Sequence, residues 1–186
     1  IAKTYLQIYA AYQEACDRAG LVDFAEILLR AHELLRDNKF IREHYQARFK
    51  HILVDEFQDT NNIQYAWLRM MAGPESHVMI VGDDDQSIYG WRGAKIENIE
   101  KFTFEFPSVN TVRLEQNYRS TKTILEASNT LIANNTERMG KELWTDGVEG
   151  EPISVYSAYN ELDEARFTVS KIKEWQEKGG ALNDAA

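Results

Sequence analysis

Two short apolar runs, each broken off by acids, set the strongest limit on what this chain can fold into. Ile52, Leu53 and Val54 run directly into Asp55 and Glu56, and the run from His77 to Val81 ends in Gly82, Asp83, Asp84 and Asp85. Runs this short and this apolar follow the pattern of parallel strands buried on both faces. Sheets of that kind place their chemistry at the carboxyl ends of the strands, where these acids lie. Between the runs, Ile63, Trp67, Leu68 and Met71 fall at helical spacing. A strand, helix, parallel strand unit is therefore expected, of the sort that is almost always right-handed.

The pattern continues on both sides. A helix is expected over 94–106 and a third strand over 111–114. Upstream, Ile1, Tyr5, Ile8 and Tyr12 share one helical face that should stop at Gly20, and Asp23 stands in capping-box spacing with Glu26 ahead of the stripe Phe24, Ile27, Leu28, Ala31 and Leu35. The basic stretch with Lys39, Arg42, Arg48 and Lys50 reads first as a solvated helix face. Downstream, Ser120 is expected to cap a helix burying Ile124, Leu125, Leu131 and Ile132. After a connection through Gly140, Gly147 and Gly150, Ile153 to Tyr156 alternates like a strand. Asn160 should cap a last helix carrying Leu162, Ala165, Val169 and Ile172 on one side. The fold class expected is α/β, a parallel sheet with an N-terminal helical part.

At 186 residues and 44% hydrophobic, the chain can bury a core. Its 21 Lys and Arg stand against 30 Asp and Glu, a formal net charge of -9, which argues against holding nucleic acid by overall charge. Contact with nucleic acid would have to rest on local features. Cys16, the single cysteine, excludes an internal disulfide and a multi-cysteine metal site. No run is long enough for a membrane span and no signal-peptide pattern is visible, so the cytoplasm is the expected compartment.

Adjacent carboxylates such as Asp55 and Glu56 suit two jobs in nucleotide hydrolysis, an oxygen ligand for Mg²⁺ and a general base for water. Acids after a strand also occur simply as favourable charges at a helix N-terminus. The polar continuation from Phe57 to Asn62 and the second acidic turn with Gln86 weigh against capping alone. Gln86 can donate and accept at once, and Arg119 offers a planar, permanently charged fork for phosphate oxygens. Tyr89 and Trp91 sit with Arg92 in a loop punctuated by Gly90 and Gly93. Two readings stay open there: a stacking platform for unpaired bases, or a tryptophan packed in the core.

Three strings in order carry a family resemblance: Val-Asp-Glu-Phe-Gln-Asp-Thr-Asn from Val54 to Asn61, Val-Gly-Asp-Asp-Asp-Gln-Ser-Ile-Tyr-Gly-Trp-Arg-Gly from Val81 to Gly93, and Arg-Leu-Glu-Gln-Asn-Tyr-Arg-Ser from Arg113 to Ser120. They resemble motifs II, III and IV of superfamily 1A DNA helicases, the UvrD, PcrA and Rep group. The likeness extends to the Leu-Val-Asp-Phe segment at Leu21 and the Leu-Trp-Thr-Asp-Gly segment at Leu143. The resemblance implies a parallel-sheet P-loop NTPase of the RecA-like type. It assigns 1–49 to the helical part of subdomain 1B, 50–115 to the C-terminal part of motor domain 1A, and 116–186 to the start of motor domain 2A.

The same resemblance implies ATP and Mg²⁺ as cofactors, with Asp55 holding the metal through a water and Glu56 activating the attacking water. Gln86 would sense the γ-phosphate, Arg119 would contact it from across the interdomain cleft, and Tyr118 would stack on the nucleotide base. Tyr89, Trp91 and Arg92 would meet DNA. The implied activity is 3′ to 5′ translocation on single-stranded DNA and unwinding at junctions of single and double strand, in repair or replication, with repair proteins as partners and a bacterial, nucleoid-associated setting. No Gly-x-x-x-x-Gly-Lys-Ser/Thr occurs in the chain, and the family's motifs V and VI are also missing. The chain is therefore expected to be an internal fragment of a larger helicase, unable to hydrolyse ATP alone. Two other classes stay open: a metal-dependent phosphohydrolase using Asp55, Glu56 and Asp83 to Asp85, and a non-catalytic interaction module that docks a repair partner through its N-terminal helices.

Overall fold

His51–Val54 forms strand β1 and His77–Ile80 forms strand β2, paired in parallel with His51 opposite His77 and Val54 opposite Ile80. The helix joining them, Asn62–Met71, begins at a reciprocal capping box: Asn61 accepts from the Gln64 N–H while the Gln64 side chain accepts from the Asn61 N–H. Two otherwise unpaired donors of the first turn are satisfied in this way. The computed structural model describes residues 2–136 and 138–184 of the chain, and these fall into two units. Unit 1 runs to Arg113 and also takes in the segment Asn135–Gly140; unit 2 holds Leu114–Asn134 and the residues from Lys141 onward.

In unit 1, three helices precede the sheet: α1 (Ala2–Ala19), α2 (Phe24–Asp37) and α3 (Lys39–Arg48). Gly20, at φ 64°, follows the last residue of α1, the left-handed position that glycine supplies at a helix end. Asp23 caps α2 by accepting from the Glu26 N–H at 2.8 Å. The box expected there is half made, because the Glu26 carboxylate pairs with Arg30 instead. The basic stretch is α3 with Lys50 just past its end, and part of its charge has a structural task. Arg42 donates to the carbonyls of Leu35 and Arg36 at the end of α2, and Lys50 pairs with Glu75 at 2.7 Å. We number the linking helix Asn62–Met71 α4; α2 and α3 pack against it. Gln46 of α3 donates to the Met70 carbonyl at 2.8 Å, and a Cβ at Gly73 would meet Gln46 Cβ at 2.8 Å. Only a residue without a side chain allows that approach.

Helix α5 (Glu97–Glu105) closes the other side of the core. Phe57, Tyr65, Leu68 and Phe102 are buried together, with Ile52, Val54, Val78, Ile80, Ile99, Phe106 and Val109 against them. The ring of Phe102 stacks on Phe106 at 4.5 Å between centroids and meets Phe57 edge-on at 6.0 Å, geometries that aromatic quadrupoles favour. At the rim, Glu105 accepts from both the Tyr65 hydroxyl and Arg69.

The third strand expected over 111–114 does not form. Among the described residues the sheet has two strands, and Val112 and Leu114 are exposed with no ladder to join. A strand needs a partner for its backbone groups, and apolar alternation alone does not supply one.

Unit 2 contains α6 (Lys122–Ile132) and α7 (Glu161–Glu177). The helix α6 starts one residue later than expected: its N-cap is Thr121, not Ser120, and no side chain caps it. Its first N–H groups are taken instead by the carbonyls of Val148 and Glu149. Leu125 is buried as expected, but Ile124 and Leu131 are exposed. Asn129 locks α6 to the following chain by donating to and accepting from the backbone of Leu143. The run from Ile153 to Tyr156 is not a strand. Tyr156 is held by stacking on Phe167 of α7, 3.8 Å between centroids, and by its hydroxyl donating to Asp163. Asn160 caps α7 as the spacing predicts, accepting from the Asp163 N–H at 2.9 Å.

Candidate active site

The chain leaves β1 through a bend that few side chains tolerate. Glu56 has φ 49° and ψ 42°, the left-handed region, where non-glycine residues are uncommon and collect at functional sites. The surroundings enforce the bend. The Phe57 N–H donates to the Val81 carbonyl at 3.0 Å and its ring enters the core, while Asp55 Oδ1 accepts from the Glu56 N–H at 2.9 Å. A single 3-10 turn, Phe57–Asp59, follows, closed by the Thr60 N–H on the Phe57 carbonyl at 3.1 Å. Asp55 and Glu56 are left with their carboxylates in solvent at the strand end.

The second strand ends alongside. The Val81 N–H donates to the Val54 carbonyl at 2.7 Å, and after Gly82 the chain makes another 3-10 turn, Asp84–Gln86. Asp83 organises that turn: one carboxylate oxygen accepts from the Asp85 N–H at 3.0 Å and the other from Gln86 Nε2 at 2.7 Å. Gln58 links the two strand ends. Its Nε2 donates to Glu56 Oε2 at 2.7 Å and its Oε1 accepts from the Asp83 N–H at 3.0 Å. Asp55, Glu56 and Gln86, read from two separate runs, thus lie on turns joined by one buried amide. Gln58 itself escaped the sequence reading; the available signal was a neutral polar residue set between Phe57, which the core claims, and Asp59.

The three aspartates Asp83, Asp84 and Asp85 bring carboxylate oxygens within 4.8 Å of one another, yet each gives at least one oxygen to a protein donor. Asp83 holds the turn, Asp84 Oδ2 accepts from the Met139 N–H at 2.7 Å, and Asp85 receives two bonds from Arg138. The Arg138 pairing with Asp85 raises its pKa above the usual arginine value. A cluster occupied by protein donors is a poor cation cage, so the cluster does not carry the phosphohydrolase alternative. The first turn has carboxylates of its own. Asp55 commits one oxygen to a backbone N–H in solvent-exposed surroundings, and Asp59 Oδ1 is buried with no hydrogen-bond partner. Asp55 is thus the accessible carboxylate of this turn, of the kind that can ligate a hard divalent cation, while the Asp59 oxygen is enclosed.

Beyond Gln86 the chain forms a second exposed feature. A 3-10 turn, Gly90–Arg92, ends at Gly93 with φ 91°, a conformation costly for any other residue. Trp91 is 80% exposed, so it is not the core residue that the sequence left open. Its ring lies 6.4 Å from that of Tyr89, and the Arg92 guanidinium sits 5.4 Å from the centroid of each. Just past this loop the chain returns to the first turn: the Lys95 N–H and buried Asn98 Nδ2 both donate to the Thr60 carbonyl, at 2.9 and 3.1 Å.

Tyr118 and Arg119 belong to unit 2. Asn117 Oδ1 accepts from the N–H groups of Arg119 and Ser120, a side-chain turn that fixes the backbone at these residues. Tyr118 is 85% exposed and its hydroxyl donates to Gln116 Oε1 at 2.7 Å; Arg119 is exposed as well.

Residues 2–107 match the UvrD/REP helicase N-terminal domain and residues 112–186 the UvrD-like helicase C-terminal domain. Over its full 186 residues the chain is 67% identical to DNA helicase II of Salmonella typhimurium and 66% identical to DNA helicase II of Escherichia coli, covering 26% of each. It is 45% identical over 179 residues to the ATP-dependent DNA helicase PcrA of Staphylococcus aureus, which is 96% of this chain and 24% of that protein. The chain spans about a quarter of the length of these curated relatives.

Proposed function

This chain belongs to the UvrD/REP helicase family, and on that premise we propose that it carries the hydrolysis turn and strand-contact loop of an ATP-dependent 3′ to 5′ DNA helicase. One observation carries the reading. The turn bearing Asp55 and Glu56 is bonded through Gln58 to the turn bearing Gln86, and the half-buried Tyr89 with the exposed Trp91 and Arg92 follows directly on the same loop. Nucleotide chemistry and base stacking would then share one short stretch of backbone.

In this reading, Glu56 accepts a proton from the attacking water and Gln86, on a turn shaped by Asp83, meets the γ-phosphate or that water. Asp55 would hold Mg²⁺, which supplies charge neutralisation on the phosphates when bound. Tyr118 offers a face to the nucleotide base, and Arg119 a charged fork to the γ-phosphate. Tyr89 and Trp91 stack on unpaired bases with Arg92 above both rings, a contact of about 1 to 3 kcal/mol per base. That energy does not depend on net charge, so a chain with formal charge -9 can still hold a strand. The sheet belongs to a RecA-like P-loop NTPase motor, with 1–49 in subdomain 1B, 50–115 in 1A and 116–186 in 2A. The substrates are single-stranded DNA and its junctions with duplex, in repair or replication in the bacterial cytoplasm.

Single-stranded DNA should raise ATP turnover of the full-length protein carrying this sequence, and Trp91→Ala should blunt that rise with little change in melting temperature. Equal stimulation in both proteins would remove the loop from strand contact.

A further inference from the structure

Gln58, 1% exposed, is with Asn98 one of two buried polar side chains among the described residues, and it is the one that touches the turns of the candidate site. Its neighbours settle which end of the amide points where. A carboxylate can only accept and a backbone N–H can only donate, so Nε2 must face Glu56 Oε2 at 2.7 Å and Oε1 must face the Asp83 N–H at 3.0 Å. The reverse orientation would break both bonds. We propose that Gln58 is a positioning residue, which holds the Glu56 carboxylate in place and transmits movement of the Asp83 to Gln86 turn to it.

Three further features support this assignment, which rests on the proposed role of Glu56. First, Glu56 extends into solvent from a left-handed backbone, so its long side chain has many rotamers to visit unless something fixes it. Nε2 of Gln58 is the side-chain donor that does so. Second, the far end of the amide meets Asp83, whose carboxylate grips Gln86 Nε2 at 2.7 Å. Glu56, Gln58, Asp83 and Gln86 form one continuous chain of hydrogen bonds, and a ligand that shifts Gln86 moves the support of the base. Third, the strand end leaves room for the amide only because residue 82 is glycine. A Cβ there would lie 2.7 Å from Gln58 Oε1 and 3.3 Å from the Phe57 nitrogen.

A purely structural role for Gln58 predicts a different outcome from a positioning role, and two variants of the full-length protein separate them. Gln58→Glu keeps the size and the acceptor for the Asp83 N–H but turns the donor into a carboxylate facing Glu56. Gly82→Ala pushes Oε1 from behind and leaves Gln58 and Glu56 themselves intact. Both should lower kcat for ATP turnover with saturating oligo-dT by about 10- to 100-fold, the scale of a misplaced reacting group. The KM for ATP and the Kd for oligo-dT should stay close to the unsubstituted values, while the melting temperature falls without reaching the assay temperature. In the unsubstituted protein, the Asp83 amide should exchange slowly with solvent, and its protection should change together with that of Glu56 when a non-hydrolysable ATP analogue binds.

Unchanged kcat in both variants, beside a Glu56→Gln protein that has lost turnover, would overturn the positioning role and leave the role of Glu56 standing. A fall in kcat matched by comparable losses in both affinities would also overturn it, as would fast exchange at Asp83. Wild-type turnover in Glu56→Gln would overturn the underlying reading and this inference with it.

Discussion

Arg138 grips Asp85 through two parallel hydrogen bonds, Nε to Oδ1 at 2.9 Å and Nη2 to Oδ2 at 2.6 Å. Fifty-three residues separate the partners in sequence, and both lie in unit 1. The fork braces the turn whose last residue is Gln86, and the Met139 N–H adds a bond to Asp84. A planar guanidinium makes this bidentate pairing and an amide does not. Arg138→Gln should therefore loosen the turn: amide exchange at Asp85, Gln86 and Met139 should speed up, and ATP turnover of the full-length protein should fall by about tenfold or more. Unchanged exchange at these amides would show that the turn holds its shape without the fork.

Trp91 and Phe102 differ by burial alone in what their loss should do. Trp91→Ala removes an exposed ring, so single-strand affinity should weaken by roughly 1 to 3 kcal/mol, with far less salt dependence than the loss of a lysine contact. Fluorescence titration with an oligonucleotide at two salt concentrations, beside a thermal melt, measures this. A large drop in melting temperature with unchanged affinity would contradict it.

Phe102 is 3% exposed between Phe57 and Phe106. Phe102→Ala should cost about 3 to 5 kcal/mol of the stability of unit 1 and depress every activity together. Chemical denaturation of the two proteins gives the difference, and a loss below about 1 kcal/mol would show that α5 does not close this core.

Acid should weaken one end of α7. Lys178 and Lys171 donate to Glu174 and hold its carboxyl at about 2, below its ordinary value of 4.5. A carboxyl depressed by folding contributes stability that is fully present above its unfolded value and is lost as pH falls through its folded one. The window therefore runs from about 4.5 down to about 2. The pairs are solvent-exposed, so the effect should be small and should shrink with salt. Amide protection near Glu174, corrected for the intrinsic exchange rate at each pH from 5 to 2, should fall less in Glu174→Gln than in the unsubstituted protein.

The sequence made the strand ends legible and the sheet's extent illegible, for one physical reason. Ile52 to Val54 and His77 to Ile80 pair with each other, so their local pattern and their partner lie within one βαβ unit. The runs at 111–114 and 153–156 have similar local patterns but no ladder among the described residues, and strand formation depends on a partner that a local pattern does not specify. The caps at Asp23 and Asn160 follow from spacing alone because a cap is a contact across three residues. The start of α6 does not, since its N–H groups are satisfied by Val148 and Glu149, some 26 residues away. Gln58 and Arg138 were missed in the same way. Each acts through a partner distant in sequence, Asp83 for Gln58 and Asp85 for Arg138, which local spacing does not name. Trp91 could not be assigned from its neighbours, because glycines flank exposed loops and tight core turns alike.

The account stands or falls on Glu56 as the base. Glu56→Gln keeps the size and the ability to hydrogen-bond but cannot take a proton from water. In the full-length protein carrying this sequence, DNA-stimulated ATP turnover should fall by roughly 100- to 10,000-fold, while binding of a fluorescent ATP analogue and of oligo-dT stays near the unsubstituted level. Turnover equal to that of the unsubstituted protein would contradict the account.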